Sequence, residues 1–243
     1  MIENKRRKIV PIETLETAKP GFANGISTQL HNLIEGGVHR SLTQSEKQNI
    51  INEASIHYGN FLTALGVNWS EDPNSMETPM RVAKAYVNDL WKGRYELMND
   101  VTSFPSDGYH GIILERDISV VSLCSHHHQS ILGKCHIAYI PGKEGKVIGL
   151  SKLNRIVEHF SRRGAIQEQL TVAIHNAVNK VVEKNDGVLV TIHSYHNCVS
   201  CRGIKHTGAS MVTSEVSGVF ADHTKTAKQE IYNMLQLQME GYK

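Results

Sequence analysis

Two short segments concentrate the residues able to bind a metal or move protons: Cys124-Ser125-His126-His127-His128 and His196-Asn197-Cys198-Val199-Ser200-Cys201. Thiolate and neutral imidazole are the ligands zinc favours. Cys124 and His127 stand three apart, so both can reach one ion from a tight turn. Cys198 then completes a set of three. A closed version adds Cys201 and makes a Cys₃His structural site. An open version leaves the fourth position to water, whose pKa zinc lowers to roughly 7. A third leaves the cysteines as buried, unligated thiols. Spacing alone does not separate structural from catalytic zinc. His126 and His196, beside the candidate ligands, favour the open site, because imidazoles relay protons near neutral pH and a purely structural site has no use for them. His128 and His193 read as strand-face residues.

Basic residues recur with small polar companions: Arg81 and Lys84, Ser151-Lys152 with Arg155, and Arg202-Gly203. Lys152 and Arg155 are spaced i, i+3 and share a helix face. A helix starting at Ser151 would offer free backbone N–H groups to phosphate oxygens. Arg202 beside a glycine suits a bidentate guanidinium contact. Singly, each reads as a solvated charge; with a zinc site on adjoining segments they suggest a phosphorylated substrate. Gln167-Glu168 opens a further helix, where a carboxylate complements the helix dipole; its chemical alternative is acceptance of two N–H bonds from a guanine edge.

The elements that must position these groups follow from periodicity. Thr43 and Glu46 form a capping box after Leu42, and apolar residues at helical spacing run from Ile50 to Leu65 before Gly66. A second helix is predicted with Thr78 as its cap and Pro79 at its first position, running to Trp91 and stopped by Gly93. From Asp117 the period changes to that of strands: Ile118 to Leu123, Cys135 to Ile140 and, later, Val188 to His193 and Met211 to Val219. Between the two strand pairs lie a helix capped by Ser151 and ending near Gly164, and a longer one from Ile166 to Val181. A closing helix spans Thr226 to Met239. This order predicts an α+β fold with an antiparallel sheet, preceded by a polar arm over residues 1–40 and a helical region over 41–110, with the catalytic part over 111–243.

Composition narrows the class. A formal net charge of +2 implies no nucleic-acid or membrane partner, so any anion site has to be local. Four cysteines without a signal-like N-terminus read as thiols or metal ligands, and the expected location is cytoplasmic.

Taken together, the stretches Thr78–Lys84, Cys124–His127, Gly133–Pro141, Val147–Val157, Gln167–Thr171, Cys198–Gly203, Thr213–Ser214 and Gly218–Phe220 resemble the GTP cyclohydrolase I family, in order over roughly residues 45–240. The resemblance implies a tunnelling fold, an antiparallel sheet with helices on one face, assembled into a β-barrel ring. The homo-oligomer it implies is a toroidal decamer with active sites between subunits. It implies conversion of GTP and water to formate and 7,8-dihydroneopterin triphosphate, with Zn²⁺-bound water attacking purine C8. By matching position, Cys124, His127 and Cys198 are the zinc ligands and His126 and His196 the proton-transfer residues. Glu168 with Gln167 recognises guanine. Arg81, Lys84, Lys152, Arg155 and Arg202, with Ser151 beside them, hold the triphosphate. Ser125 replaces a usual Glu, Gln129-Ser130 a usual Leu-Pro, Cys201 a common Met, and Lys205-His206-Thr207 a usual Arg-Lys-Pro. These departures leave a non-catalytic zinc module, or another tunnelling-fold enzyme of purines or pterins, as the alternatives.

Overall fold

The computed structural model describes Val38 and residues 40–236. The expected arm therefore lies almost wholly outside the described residues, as does the tail of the closing helix. Strand β1 (Ser103–Pro105) pairs with β4 (Lys146–Ile148) in a small ribbon. Strands β2 (Ile113–Leu123), β3 (Ser130–Pro141), β5 (Asn185–His196) and β6 (Ser210–Val216) form one antiparallel sheet in the order β2-β3-β5-β6. The expected α+β class with an antiparallel sheet is what the chain adopts.

The centre of the sheet is buried on both faces, which is why Val188, Leu189, Val190 and Ile192 are all apolar, while the Thr191 hydroxyl between them pairs with Ser214. Val188, Val190 and Ile192 join Ile118, Val120, Cys135, Ile137 and Tyr139 on one face. Against them pack α4 (Leu150–Ser161), through Leu153, Ile156 and Val157, and α5 (Gln167–Val181), through Leu170, Ile174 and Val178. Those residues recur at three- and four-residue intervals, as one stripe of a helix must. Leu189 and Ala138 point to the other face, where Phe220, in the 3-10 turn Gly218–Phe220, and Ile231, in α7 (Ala227–Gln236), cover them.

The N-terminal helices form a second cluster. Helix α1 (Gln44–Ala64) carries the complete capping box of Thr43 and Glu46, and Gly66, at φ 77°, turns the chain away after it. Helix α2 (Thr78–Ala85) widens into a single π-helical turn at Tyr86–Leu90, and the short α3 (Lys92–Tyr95) follows. Ile51, Ala83, Val87 and Tyr95 hold these elements together.

Four expectations change at the element ends. The cap of α2 is Glu77, and Thr78 is its first helical residue. The cap of α4 is Gly149 rather than Ser151, because β4 runs to Ile148 and the chain turns into the helix at once, leaving Ser151 inside the first turn. Gly93 does not stop a helix; it lies within α3, where an added Cβ would meet the His159 carbonyl at 2.2 Å, so glycine is what allows α3 to touch α4. The stretch expected to be helical also contains β1, whose pairing with β4 draws it onto the sheet domain.

At that α3–α4 contact His159 is largely buried between Phe160 and Arg163, and burial first, then the Arg163 charge, lowers its pKa from 6.5 to about 4. The folded chain therefore holds a neutral ring that the unfolded chain protonates below pH ~6.5, and stability falls as pH drops from there toward about 4. Denaturant midpoints across that window are expected to slope less in His159→Gln than in the parent chain; equal slopes would refute the assignment.

Candidate active site

Strand β3 runs antiparallel to both β2 and β5, so those two run parallel to each other and end at the same edge of the sheet. Leu123 pairs with Ser130, and His196 with Ile131. The chain then turns at both ends. In the first turn the Cys124 N–H donates to the Gln129 carbonyl (2.9 Å) and the His128 N–H to the Cys124 carbonyl (2.9 Å), with His128 at φ 51°. In the second, β5 passes into the one-turn helix α6 (Asn197–Ser200), which carries Cys198. The Asn197 amide donates to Ser130 Oγ (2.7 Å) and ties the second turn to the start of β3. The Ala165 N–H donates to the Leu123 carbonyl (3.1 Å), anchoring the first turn to the loop before α5.

This closure sets Cys124, buried, beside Cys198, half-buried. Burial, and then the adjacent Cys124 thiol, push the Cys198 thiol above its usual pKa, while Arg202 pulls it the other way. His126 Nδ1 lies 3.7 Å from Cys124 Sγ. His127 is exposed on the same turn; among the described residues no three His, Cys, Asp or Glu side chains close on one metal-sized point. The donor chemistry fits zinc: two thiols facing each other, with an imidazole three residues from one of them. Cys201 is turned elsewhere, its Sγ 2.6 Å from the Asn197 carbonyl and 3.4 Å from Gln129 Oε1. The closed four-ligand arrangement is therefore not what these side chains form.

His196 ends β5, two residues before Cys198. Burial lowers its pKa and the Glu168 carboxylate opposes that, so the two groups are neighbours. Glu168 is exposed and lines a cleft of about 950 Å³ together with Asn99, Asp100, Phe160 and Val172. Gln167, expected beside it at a guanine edge, points the other way. It is only 1% exposed, and its side chain is taken up by Ile192, Met211, Thr213, Ser194 and His196. No donor or acceptor of that side chain is left for a ligand, so of the pair only Glu168 faces the cleft.

The basic residues are not gathered equally. Arg202 is exposed and acts electrostatically on Cys198. Ser151, Lys152 and Arg155 lie near the start of α4, where Arg155 borders a separate pocket of about 110 Å³. Arg81 is exposed and paired with Glu77 (2.7 Å), and Lys84 is exposed on the same helix. Among the described residues no hydrogen bond or ion pair joins Arg81, Lys84, Lys152 or Arg155 to the thiols or His196.

A comparison of the sequence with known families decides its membership: the profile described as GTP cyclohydrolase I matches residues 54–236. The chain belongs to the GTP cyclohydrolase I family. Its relatives include the GTP cyclohydrolase 1 of Pseudoalteromonas translucida, 41% identical over 73% of this chain and 95% of that one. That of Corynebacterium glutamicum is 40% identical over 68% and 85%, and that of Actinobacillus pleuropneumoniae 36% over 81% and 90%.

Three of the departures from the family pattern, Gln129, Ser130 and Cys201, lie together at the two turns. Gln129 meets Cys201, and Ser130 meets Asn197, so the replaced residues together bridge the two turns. Reading the sequence alone gave no role to Asn197 and Thr213 and passed over Ser194 and the aromatic pair Tyr86 and Trp91, which pack on His128 and join the helical region to the first turn. It also took His128 for a strand residue. The alternation of Ser194 and His196 on one face of β5 was the available sign of the first group; nothing local marks the rest.

Asn197→Ala removes the link from the second turn to Ser130, a half-buried residue, and leaves the Ser200 hydroxyl only its longer contact to the His196 carbonyl. A loss of about 1–3 kcal/mol in unfolding free energy is expected by denaturant titration. An unchanged midpoint would show that this link does not hold the two turns.

Proposed function

We propose that the chain is a zinc-dependent GTP cyclohydrolase I that converts GTP and water to formate and 7,8-dihydroneopterin triphosphate. The observation that carries this reading is the convergence of Cys124 and Cys198 beside His196 and Glu168, in a chain of this family. Cys124, His127 and Cys198 would hold the metal. When bound, zinc makes water acidic enough to serve as a nucleophile near neutral pH.

Everything else falls to the chain's own side chains. Glu168 accepts the N–H groups along the guanine edge and orients the purine, a charge-assisted contact that a neutral acceptor would make more weakly. His196 and His126 move protons as the imidazole ring opens and formate leaves; the lowered pKa of His196 keeps its ring neutral and ready to accept one near pH 7. Arg202, Lys152, Arg155, Arg81 and Lys84, with Ser151, neutralise and hold the triphosphate. The retained chain then passes through ribose rearrangement and ring closure.

The reading includes a homo-oligomeric ring, a toroidal decamer, with sites shared between subunits. Two features support it. Among the described residues strands β2 and β6 each pair on one side only, so both sheet edges offer N–H and C=O groups to another copy. The cations on α2 and α4 also stand apart from the thiols within one chain, and a neighbouring subunit would supply what the single chain leaves dispersed. Among the described residues no helix is long and apolar enough to cross a membrane.

The purified protein with one zinc per chain is expected to release formate from GTP together with a product that becomes fluorescent on oxidation. Zinc-loaded protein that yields neither would refute the activity. Cys124→Ser and Cys198→Ser are expected to lose both metal and turnover, whereas Cys201→Ser keeps both, read by elemental analysis and formate release. Loss of zinc in Cys201→Ser would restore the closed, structural site.

A further inference from the structure

Gln167 is the first residue of α5, and its side chain runs beneath the sheet between β5 and β6. Its amide nitrogen lies 3.0 Å from the Ile192 carbonyl, 3.2 Å from the Met211 carbonyl and 3.0 Å from Thr213 Oγ1. Backbone carbonyls only accept, so the nitrogen end of the amide must face them and the oxygen end cannot be exchanged with it. That oxygen receives the Ser194 hydroxyl at 2.5 Å and lies 2.7 Å from His196 Nε2. An amide oxygen cannot donate. The proton of the contact therefore sits on His196 Nε2.

We infer that Gln167 is a positioning residue that locks His196 in its Nε2–H tautomer, leaving Nδ1 as the only nitrogen able to take up a proton. The inference rests on the proton-transfer role proposed for His196 and names the atom that performs it. Orientation of the ring follows from the same contact. Gln167 and Ser194 are both almost fully buried, so no solvent competes for the bond, and the amide is clamped from two strands and one helix. In the neutral state the proton can sit on either imidazole nitrogen and the hydrogen-bond partners select which; a ring free to change tautomer would present the wrong nitrogen part of the time. Thr171, one turn along α5, strengthens the clamp: its hydroxyl donates to the Gln167 carbonyl (2.9 Å) and meets Thr213 Oγ1 (2.6 Å). The placement of β6, an edge strand, is thereby tied to the state of His196, two strands' worth of backbone acting on one ring through a single amide.

The test is a solid-state ¹³C–¹⁵N spectrum of the zinc-loaded full chain labelled at histidine, with His196 assigned by difference from His196→Asn. A protonated nitrogen bonded to Cδ2 and a bare one bonded to Cγ are expected for His196 at pH 8. The opposite tautomer, or a mixture, overturns the inference, and this measurement decides it even where a Gln167 variant does not fold. In Gln167→Leu the ring is expected to populate both tautomers, with kcat down about 10- to 100-fold and KM for GTP within about threefold. An unchanged kcat overturns the positioning role whatever the spectrum. Ser194→Ala disturbs the same buried network without removing the acceptor, and is expected to keep the Nε2–H form; loss of the tautomer there would assign the locking to the network at large. A parent chain without GTP turnover would refute the proposed activity while leaving the spectrum to settle the tautomer.

Discussion

Strand β3 lies between β2 and β5 and opposes both, and the site depends on that constraint. Two strands that flank a common antiparallel partner must end on the same side of the sheet, about two strand spacings apart, roughly 10 Å. Cys124 follows the end of β2 and Cys198 the end of β5, so their backbones are held at a separation that two inward-pointing side chains can close. The register makes this definite. A slip of one residue between β3 and β5 would send His196 and Ser194 to the opposite face and leave the Gln167 amide without partners in the core.

The same register explains why so polar a cluster tolerates burial. Gln167, Thr171, Ser194 and Thr213 form a connected set in which each group finds a partner, and the set lies at the seam between α5 and strands β5 and β6. An amide buried with one end unpaired would be costly, since a desolvated donor or acceptor loses its water without replacement. Satisfied at both ends, it becomes a rigid strut instead. Helix α5 is thereby fixed along the sheet as well as against it: the apolar stripe of Leu170, Ile174 and Val178 sets the distance, and the amide sets the position. Glu168, the next residue, is directed to the opposite side and into the open cleft. One helix start thus sends one side chain inward to hold a histidine and the next outward to meet solvent.

The site turns show a related economy. Where the family has Leu-Pro and Met, this chain has Gln129-Ser130 and Cys201. Their side chains meet across the gap between the turns. Polar contacts there occupy the Cys201 thiol with Asn197 and Gln129 rather than with Cys124 and Cys198.

Much of this was legible in the sequence, for a physical reason in each case. Helix periodicity, the Thr43–Glu46 capping box and the apolar strands are local consequences of local residues, and they appear where expected. The Cys-x-x-His and His-x-Cys segments announce metal and proton chemistry by residue type, and their ordered company of other motifs marks the family. What needed the fold was every relation between segments. Glu77 rather than Thr78 caps the start of α2, and Gly149 rather than Ser151 that of α4, where the pairing of β4 up to Ile148 fixes where the chain enters. Gly93 reads as a helix stop and is in fact a close contact with His159. Gln167 reads as a companion of Glu168, yet its direction is decided by carbonyls from Ile192 and Met211, far away in the chain. Sequence names the groups and their local geometry; which face each side chain takes, and what it touches there, belongs to the pairing of strands distant in the chain.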